Sequence, residues 1–341
     1  MAISQYLFFF AVSLAVSATL SGIFIKILGR LGTLDHPGER SSHAKPTLRG
    51  GGVAVMITVV LMWSIGELMV FDSMHANGVV IGALAIISAI FFVEDYKGMS
   101  IVIRLGVQLA ITLFVLLVMG AGSDGGLLVF QGLLPPMFDL FVSWLVWVWF
   151  INLFNFMDGI DGISAAQSVT VAIGVVAVAA VSGVSQETQL PAVLLAGAMI
   201  GFAYWNLPPA KVFLGDVGSV PLGFIIGWML LNLAVDGLWV AALILPLYYL
   251  SDATITLIKR ILRGERFWRA HRDHFYQMAV INGRSHGSVS LIIFIIGLTL
   301  IPLALLSLEY PWMALLVASL EIIIFLIFLS GKFGKNPSFS K

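Results

Sequence analysis

The sequence predicts an all-α integral membrane protein of about eleven transmembrane helices, on two observations: its composition, and apolar runs of about the length a bilayer requires. Apolar residues fill 60% of 341 positions and charged residues only 11%, where a soluble domain carries about 25% charged residues. Mean hydropathy is +1.03. So much apolar surface cannot be hidden in the chain's own core, so lipid must be its solvent. Formal net charge is zero, which gives no global field for nucleic acid, and the absence of cysteine excludes disulfides, thiolate metal sites and thiol nucleophiles.

The spans lie near 4–28, 51–71, 77–93, 101–121, 136–152, 164–183, 188–206, 217–235, 238–258, 288–307 and 311–330. The first is apolar from Ile3 to Leu28, and its basic residues, Lys26 and Arg30, come at and after its end. A cleaved secretory signal has the reverse order, so this segment reads as a retained helix. Only Asp236 and Gly237 separate 217–235 from 238–258, which demands a tight hairpin. No internal repeat or separate soluble domain is evident. The whole of 1–341 reads as a single polytopic catalytic domain.

Charge supports the count. With eleven spans the connections alternate sides, and one set holds loops near 29–50, 94–100, 153–163, 207–216 and 259–287 plus the C-terminal tail. With the bordering Lys26, Arg30 and Arg104, that set contains all 18 lysines and arginines. The other set holds acidic residues such as Asp72, Asp124, Glu187, Asp236 and Glu309. The positive-inside rule places the basic set in the cytoplasm, the N-terminus outside and the C-terminus inside.

Five clusters of unusual residues fall on the basic side. In DHPGERSSHAKPTLRGGG, residues 35–52, Arg40, His43, Lys45 and Arg49 crowd together, stiffened by Pro37 and Pro46. Gly50, Gly51 and Gly52 then permit close backbone approach at the next helix. Basic side chains beside a helix N-terminus make a phosphate site. A plain positive-inside loop would carry the same charge but would not need these prolines and glycines. Glu94 and Asp95 adjoin at a membrane boundary, where a carboxylate pair persists with a cation or with one pKa raised. In NLFNFMDGIDGI, Asn152, Asn155, Asp158 and Asp161 recur every three residues, with Gly159 and Gly162 opening the backbone. Amides and carboxylates so placed suit a nucleoside or a metal-bound water.

The fourth cluster, PPAKVFLGDVGSVPLG, sets Asp216 between Gly215 and Gly218 and adds Lys211 for a phosphate contact. A carboxylate flanked by glycines suits Mg²⁺, a hard cation that shares carboxylates with phosphate and water. The fifth, KRILRGERFWRAHRDHFYQ, carries six lysines and arginines, with His271, Arg272 and His274 near its end. No third zinc ligand lies nearby, so a diphosphate suits the histidine pair better than zinc. An interfacial basic helix anchored by its aromatics is the other reading. Asp252 lies inside a span and is a functional candidate by default. Glu321, also inside a span, has no assigned mechanism.

These clusters, in this order over about residues 30–280, resemble the polyprenyl-phosphate N-acetylhexosamine-1-phosphate transferases of glycosyltransferase family 4. NFMDGIDG at 155–162 and FLGDVGS at 213–219 are the most specific parts. The family includes the phospho-MurNAc-pentapeptide translocase and the transferases that initiate O-antigen and teichoic acid linkage. The resemblance implies ten or eleven helices, a cytoplasmic active site in a bacterial inner membrane, and a required divalent ion, Mg²⁺ with Mn²⁺ as a substitute. It makes Asp216 the main metal ligand, helped by Asp158, and makes Asp158 and Asp161 the essential acidic pair. The family's usual Asp-Asp at the end of the third span is Glu94-Asp95 here. HRDHFYQ looks more like the O-antigen-initiating branch than the peptidoglycan enzyme.

The implied reaction is attack by undecaprenyl phosphate on the β-phosphorus of a UDP-N-acetyl sugar (UDP-GlcNAc, or a UDP-FucNAc or UDP-QuiNAc type), with UMP leaving. Asp95 or Glu94 would take the proton of the lipid phosphate or orient it. Asn152, Asn155, Asp158 and Asp161 would line the nucleotide side. His271, Arg272 and His274 would hold the diphosphate, Lys45 and Arg49 would guard the cleft, Lys211 would add a phosphate contact, and Arg40 and His43 would help bind substrate. The expected partners are the two substrates, the bilayer and a second copy in a homodimer, with no nucleic acid. A cation-coupled transporter of sugar nucleotides is the alternative, but it would place its acidic residues near the bilayer midplane.

Overall fold

The computed structural model describes residues 3–35, 46–71, 77–121, 128–184, 186–265 and 271–331. The helices are α1 (Ile3–Leu31), α2 (Gly52–Gly66, prolonged by a π-helical turn Glu67–Phe71), α3 (Gly78–Lys97), α4 (Ile101–Ala121), α5 (Pro136–Phe156), α6 (Ile163–Ser182), α7 (Gln186–Asn206), α8 (Asp216–Val235), α9 (Trp239–Ile244), α10 (Leu247–Leu262), α11 (Phe275–Ile281), α12 (His286–Leu306) and α13 (Pro311–Ser330). Ten of the described helices are long and apolar enough to cross a membrane. The protein is an all-α, multi-pass integral membrane protein.

The span expected at 238–258 is not one helix. It is α9 and α10, broken at Leu245–Pro246, where proline lacks the N–H that would continue the helical ladder. The pair still joins the two ends of the bundle. At one end Gln131 Nε2 donates to the carbonyls of Ala234 and Val235, at 2.7 and 2.9 Å, beside the start of α9. At the other, the Tyr276 hydroxyl, beyond α10, donates to the Phe156 carbonyl at the end of α5 at 3.1 Å. At 1.5 Å per residue, α9 and α10 together reach about 33 Å, which suffices for a hydrocarbon core of about 30 Å.

The sequence reading also took the segments near 29–50 and 207–216 as loops alone. Each contributes to a small sheet of β1 (Leu34–Asp35), β2 (Thr47–Arg49) and β3 (Val212–Phe213). β1 and β2 are antiparallel, and β2 pairs parallel with β3, setting Arg49 beside Phe213. The sheet thereby clamps Arg49 onto the segment that leads into Asp216.

α8 is buried all round through most of its length, as expected of a helix apolar on every face. Small residues set its neighbours close. A Cβ on Gly52 would collide with the backbone of Gly218, so α2 and α8 meet backbone to backbone at the site end. Trp147 Nε1 of α5 donates to the Phe224 carbonyl of α8 at 2.9 Å. On the flank, α1 packs on α7 through Ser13 and Ser17, whose hydroxyls donate to the carbonyls of Leu194 and Ala198 at 2.7 Å each. Gly197 and Gly201 make room for them. This small-residue packing drives helix association where lipid offers no hydrophobic gain, and each interhelical hydrogen bond contributes about 0.6 kcal/mol.

Candidate active site

The site is assembled at the N-terminus of α8. A helix start leaves backbone N–H groups without partners and carries a partial positive charge. Asp95, near the C-terminus of α3, supplies acceptors: its Oδ1 takes the Asp216 N–H at 3.0 Å and its Oδ2 the Val217 N–H at 2.9 Å. Gly215 makes the approach feasible. It holds φ +76°, and a Cβ there would lie 2.5 Å from Asp95 Oδ2. The glycines around Asp216 therefore admit other parts of the chain: Gly215 admits Asp95, and Gly218 admits Gly52.

Two arginines bind this group. Arg49, from β2, reaches Asp95 Oδ1 with Nε at 2.8 Å and Asp216 Oδ1 with Nη2 at 3.0 Å. Arg104, from α4, reaches Glu94 Oε1 at 3.1 Å and Asp216 Oδ2 at 3.3 Å. Asn155 Nδ2, from the last turn of α5, donates to Asp216 Oδ1 at 3.1 Å and to Ser219 Oγ at 2.8 Å. Glu94, Asp95 and Asp216 bring carboxylate oxygens within 4.8 Å of one another. At that separation two unit charges repel by roughly 3 kcal/mol at an effective dielectric constant near 20. Two guanidinium groups offset much of this, yet three carboxylates still outnumber them. Burial works against the Arg49 charge, but Asp216, Asp95 and Glu94 outweigh it and raise the guanidinium pKa.

Beside the cluster opens a cavity of about 270 Å³, lined by Arg49, Asn155, Asp158, Asp161, Asp216 and His286 among others. α8 and α12 begin at its wall, with their first residues Asp216 and His286 in the lining, so two helix N-termini bring partial positive charge to a space also lined by Asp35, Asp158 and Asp161. Asp158 accepts from Ser164 Oγ at 2.6 Å. Burial pushes its carboxyl up to about 7, with Asp216 adding to the shift and the Ser164 hydrogen bond opposing it. Asp161 Oδ2 accepts from the Ala210 N–H at 3.1 Å, and its Oδ1 lies 3.2 Å from His286 Nδ1. Both glycines of the segment are needed. Gly159 lies flat against the Tyr276 hydroxyl, where a Cβ would collide, and Gly162 holds φ +79° at the start of α6.

The histidine loop packs behind this wall. Asp252 of α10 is fully buried. It accepts from the Tyr248 hydroxyl (3.0 Å), the Phe275 N–H (2.9 Å) and the Tyr276 N–H (3.1 Å), and lies 3.2 Å from His274 Nδ1. Asp252 thus caps α11, and His274 is buried as part of that anchor. His271 stacks on His274 with ring centroids 4.9 Å apart, and its Nδ1 accepts the Asp273 N–H at 3.3 Å. Burial, aided by His274 and Arg260, lowers His271 to about 4.

Of the residues expected at a site, Arg49, Asn155, Asp158, Asp161 and Asp216 line the cavity, and Glu94 and Asp95 adjoin it through Arg49 and Arg104. His271, Arg272 and His274 do not line it, whereas Gln277, six residues beyond His271, does. Asn152 turns away, donating to Gln108 Oε1 at 2.6 Å. Lys211 lies over the Trp205 ring, 4.8 Å from its centroid, outside the cavity lining. Arg40, His43 and Lys45 lie outside the described residues. Glu321 accepts a hydrogen bond from Thr299, across α12 and α13. Sequence reading passed over Arg104, Asn206, Gln277 and His286. Arg104 carried one signal, being a cation at the start of a span a short turn after Glu94-Asp95.

Residues 77–234 match the model of glycosyl transferase family 4. A probable undecaprenyl-phosphate N-acetylglucosaminyl 1-phosphate transferase of Bacillus subtilis (strain 168) is 27% identical over 297 residues, 84% of this chain and 81% of that one. Over residues 77–234 the chain is similar to glycosyl transferase family 4. The family 4 match includes Glu94, Asp95, Arg104, Asn155, Asp158, Asp161 and Asp216, and ends before the histidine loop. Phospho-N-acetylmuramoyl-pentapeptide-transferases are similar over shorter stretches. That of Mycobacterium sp. (strain KMS) is 32% identical over 90 residues, 26% of this chain and 24% of that one. That of Desulforapulum autotrophicum is 32% identical over 123 residues, 34% of this chain and 32% of that one.

Proposed function

We propose that the chain transfers an N-acetylated sugar 1-phosphate from a UDP-sugar to undecaprenyl phosphate, releasing UMP, at the cytoplasmic face of a bacterial inner membrane. The sugar is GlcNAc or a FucNAc or QuiNAc type, and the lipid product starts an O-antigen or another surface polysaccharide. The observation that carries this reading is the excess of carboxylate over guanidinium at Glu94, Asp95 and Asp216, set at the edge of an open polar cavity. The Bacillus relative, by its name and its coverage, supports undecaprenyl phosphate as the acceptor and an N-acetylglucosaminyl 1-phosphate as the group transferred. The one-sided distribution of Lys and Arg supports the cytoplasmic face.

The donor set at the cluster is entirely oxygen, which fits a hard divalent cation such as Mg²⁺. Asp216 would hold it, with Glu94 or Asp95 as neighbour. Asp158, expected as a second ligand, is bonded to Ser164 and stands outside the three-carboxylate group. When bound, the ion would neutralise charge on the diphosphate. The chain's own groups do the rest. An oxygen of the lipid phosphate forms a bond to the β-phosphorus as the bond from that phosphorus to the UMP oxygen breaks, and UMP departs with the electron pair. Arg49, Arg104 and the N-termini of α8 and α12 offset the charge at the reacting centre. A phosphate's second pKa is near 6, so the nucleophile is largely ionised without a base. Of the adjacent carboxylates, Asp95 is engaged by two backbone N–H groups and Arg49, while Glu94 is engaged through Oε1 alone. We therefore assign Arg104, held by Glu94 through Oε1, the contact to the lipid phosphate. Asn155, Asp158 and Asp161 line the nucleotide side.

The test is UMP release by purified protein in detergent, given undecaprenyl phosphate, Mg²⁺ and a panel of UDP-N-acetyl sugars. UMP together with a lipid diphosphate sugar, both lost with EDTA and in Asp216→Ala, is the expected result. Folded protein that releases no UMP from any sugar in the panel would remove this reading.

A further inference from the structure

One turn of α12 grips Asp161 at two points. The Ser290 hydroxyl donates to the Asp161 backbone carbonyl at 2.7 Å, and His286 Nδ1 stands 3.2 Å from the carboxylate Oδ1. Residues four apart share a helix face, so both contacts come from one side of α12. A carboxylate can only accept, so a hydrogen bond across this gap requires the proton on Nδ1. The other oxygen, Oδ2, is fixed from a different direction by the Ala210 N–H. His286 is the first residue of a 21-residue helix whose Ser285 cap accepts from the Ser288 N–H at 3.2 Å, so the imidazole stands on an anchored base. Both Asp161 and His286 line the cavity.

We propose that His286 is the positioning residue for Asp161, setting the angle at which that carboxylate meets a hydroxyl or N–H group of the nucleotide. The proposal rests on the reading of the cavity as a UDP-sugar site. With both oxygens held, Asp161 presents its remaining lone pairs in one direction. Without His286 it keeps the Ala210 contact alone and turns about χ2, a broad torsion. The group bound by Asp161 then loses its partner geometry in ground state and transition state alike. Bond formation beside Asp216 is left unchanged, so the loss falls on KM and not on kcat.

The experiment measures UMP affinity by calorimetry, and steady-state kinetics, on the purified full-length chain. His286→Ala is expected to weaken UMP binding and raise the KM for UDP-sugar about tenfold, with kcat within about threefold of the parent. His286→Asn places an amide nitrogen where Nδ1 stands and restores both values. His286→Gln places it near Nε2 and does not. Adding His286→Ala to Asp161→Asn causes no further loss, because the two act through one contact. The proposal is overturned by unchanged constants in His286→Ala, by Asn restoring no more than Gln, or by additive losses in the double variant. Where the alanine variant does not fold, the Asn and Gln pair decides. Failure of the underlying reading looks different: the parent chain itself then binds no UMP and releases none.

Discussion

Two regions of this protein gather carboxylates and cations at the same end of the bundle, and they do opposite things with them. Around Asp216, three carboxylates face two arginines beside open space, so the charge is unbalanced and the cavity is available to complete it. Around Asp252, one fully buried carboxylate is met by a hydroxyl, two backbone N–H groups and His274, and nothing is left for a ligand. An acidic residue near a membrane is costly in either setting. What separates a reactive group from a scaffold is whether its partners are all internal.

The comparison breaks most directly at Asp216. Asp216→Ala should lower the rate of UMP release by at least about 10³-fold, since it removes the group shared by both arginines and by any bound ion. Its thermal unfolding should stay close to the parent's. Asp252→Asn should do the reverse. Weakening a fully buried, multiply bonded carboxylate costs about 3–5 kcal/mol, read as a lower unfolding midpoint in detergent. The rate per folded molecule should change little. If Asp252→Asn stays as stable as the parent but loses turnover, the division drawn here is wrong.

The two regions also differ in how legible they were. Hydropathy over windows of about 20 residues locates the crossings because the bilayer sets that length. The one-sided Lys and Arg distribution then indicates which connections share a face. The DGIDG segment announces itself by glycines beside carboxylates. The break at Leu245–Pro246 was hidden because hydropathy does not register a lost backbone hydrogen bond. Strands of two or three residues are too short to show alternation, so the pairing of Arg49 with Phe213 left no trace. Arg104 and Asp216 are far apart in sequence and meet only because α3 and α4 bring the arginine to α8. His271 and His274 show a related limit: their spacing matches a ligand pair, but Asp252, which anchors His274, lies in another helix.

A smaller effect sharpens the reading of the reactive side. Burial holds Asp158 near 7, so a rise of pH through that value ionises it. The protonated form is the one the folded state favours, so its contribution to stability is present below the ordinary carboxyl range and declines as pH rises to about 7. Substrate contact by the carboxylate has the opposite requirement. The kcat/KM for the UDP-sugar should therefore fall by up to about tenfold per pH unit below 7. Asp158→Asn should lower activity and flatten that limb. A limb that persists unchanged in the variant assigns the ionisation to another group.

The smallest effect is expected on the scaffold side, at His271. Its imidazole is held near 4, below the usual 6.5, first by burial and then by His274 and Arg260. At pH 7 it is neutral, and a neutral ring whose Nδ1 already accepts the Asp273 N–H adds no positive charge for a diphosphate. His271→Asn keeps an acceptor near that N–H and should change the KM for UDP-sugar by no more than about threefold at pH 7. Stability gives the clearer sign. Between about 4 and 6.5 the unfolded chain binds a proton that the folded chain refuses, so the contribution is complete above that window and is lost as pH falls through it. Unfolding midpoints of the parent should decline across that window more steeply than those of His271→Asn. If instead His271→Asn raises the KM tenfold at pH 7 with no change in the acid limb, His271 belongs with Asp216 on the reactive side.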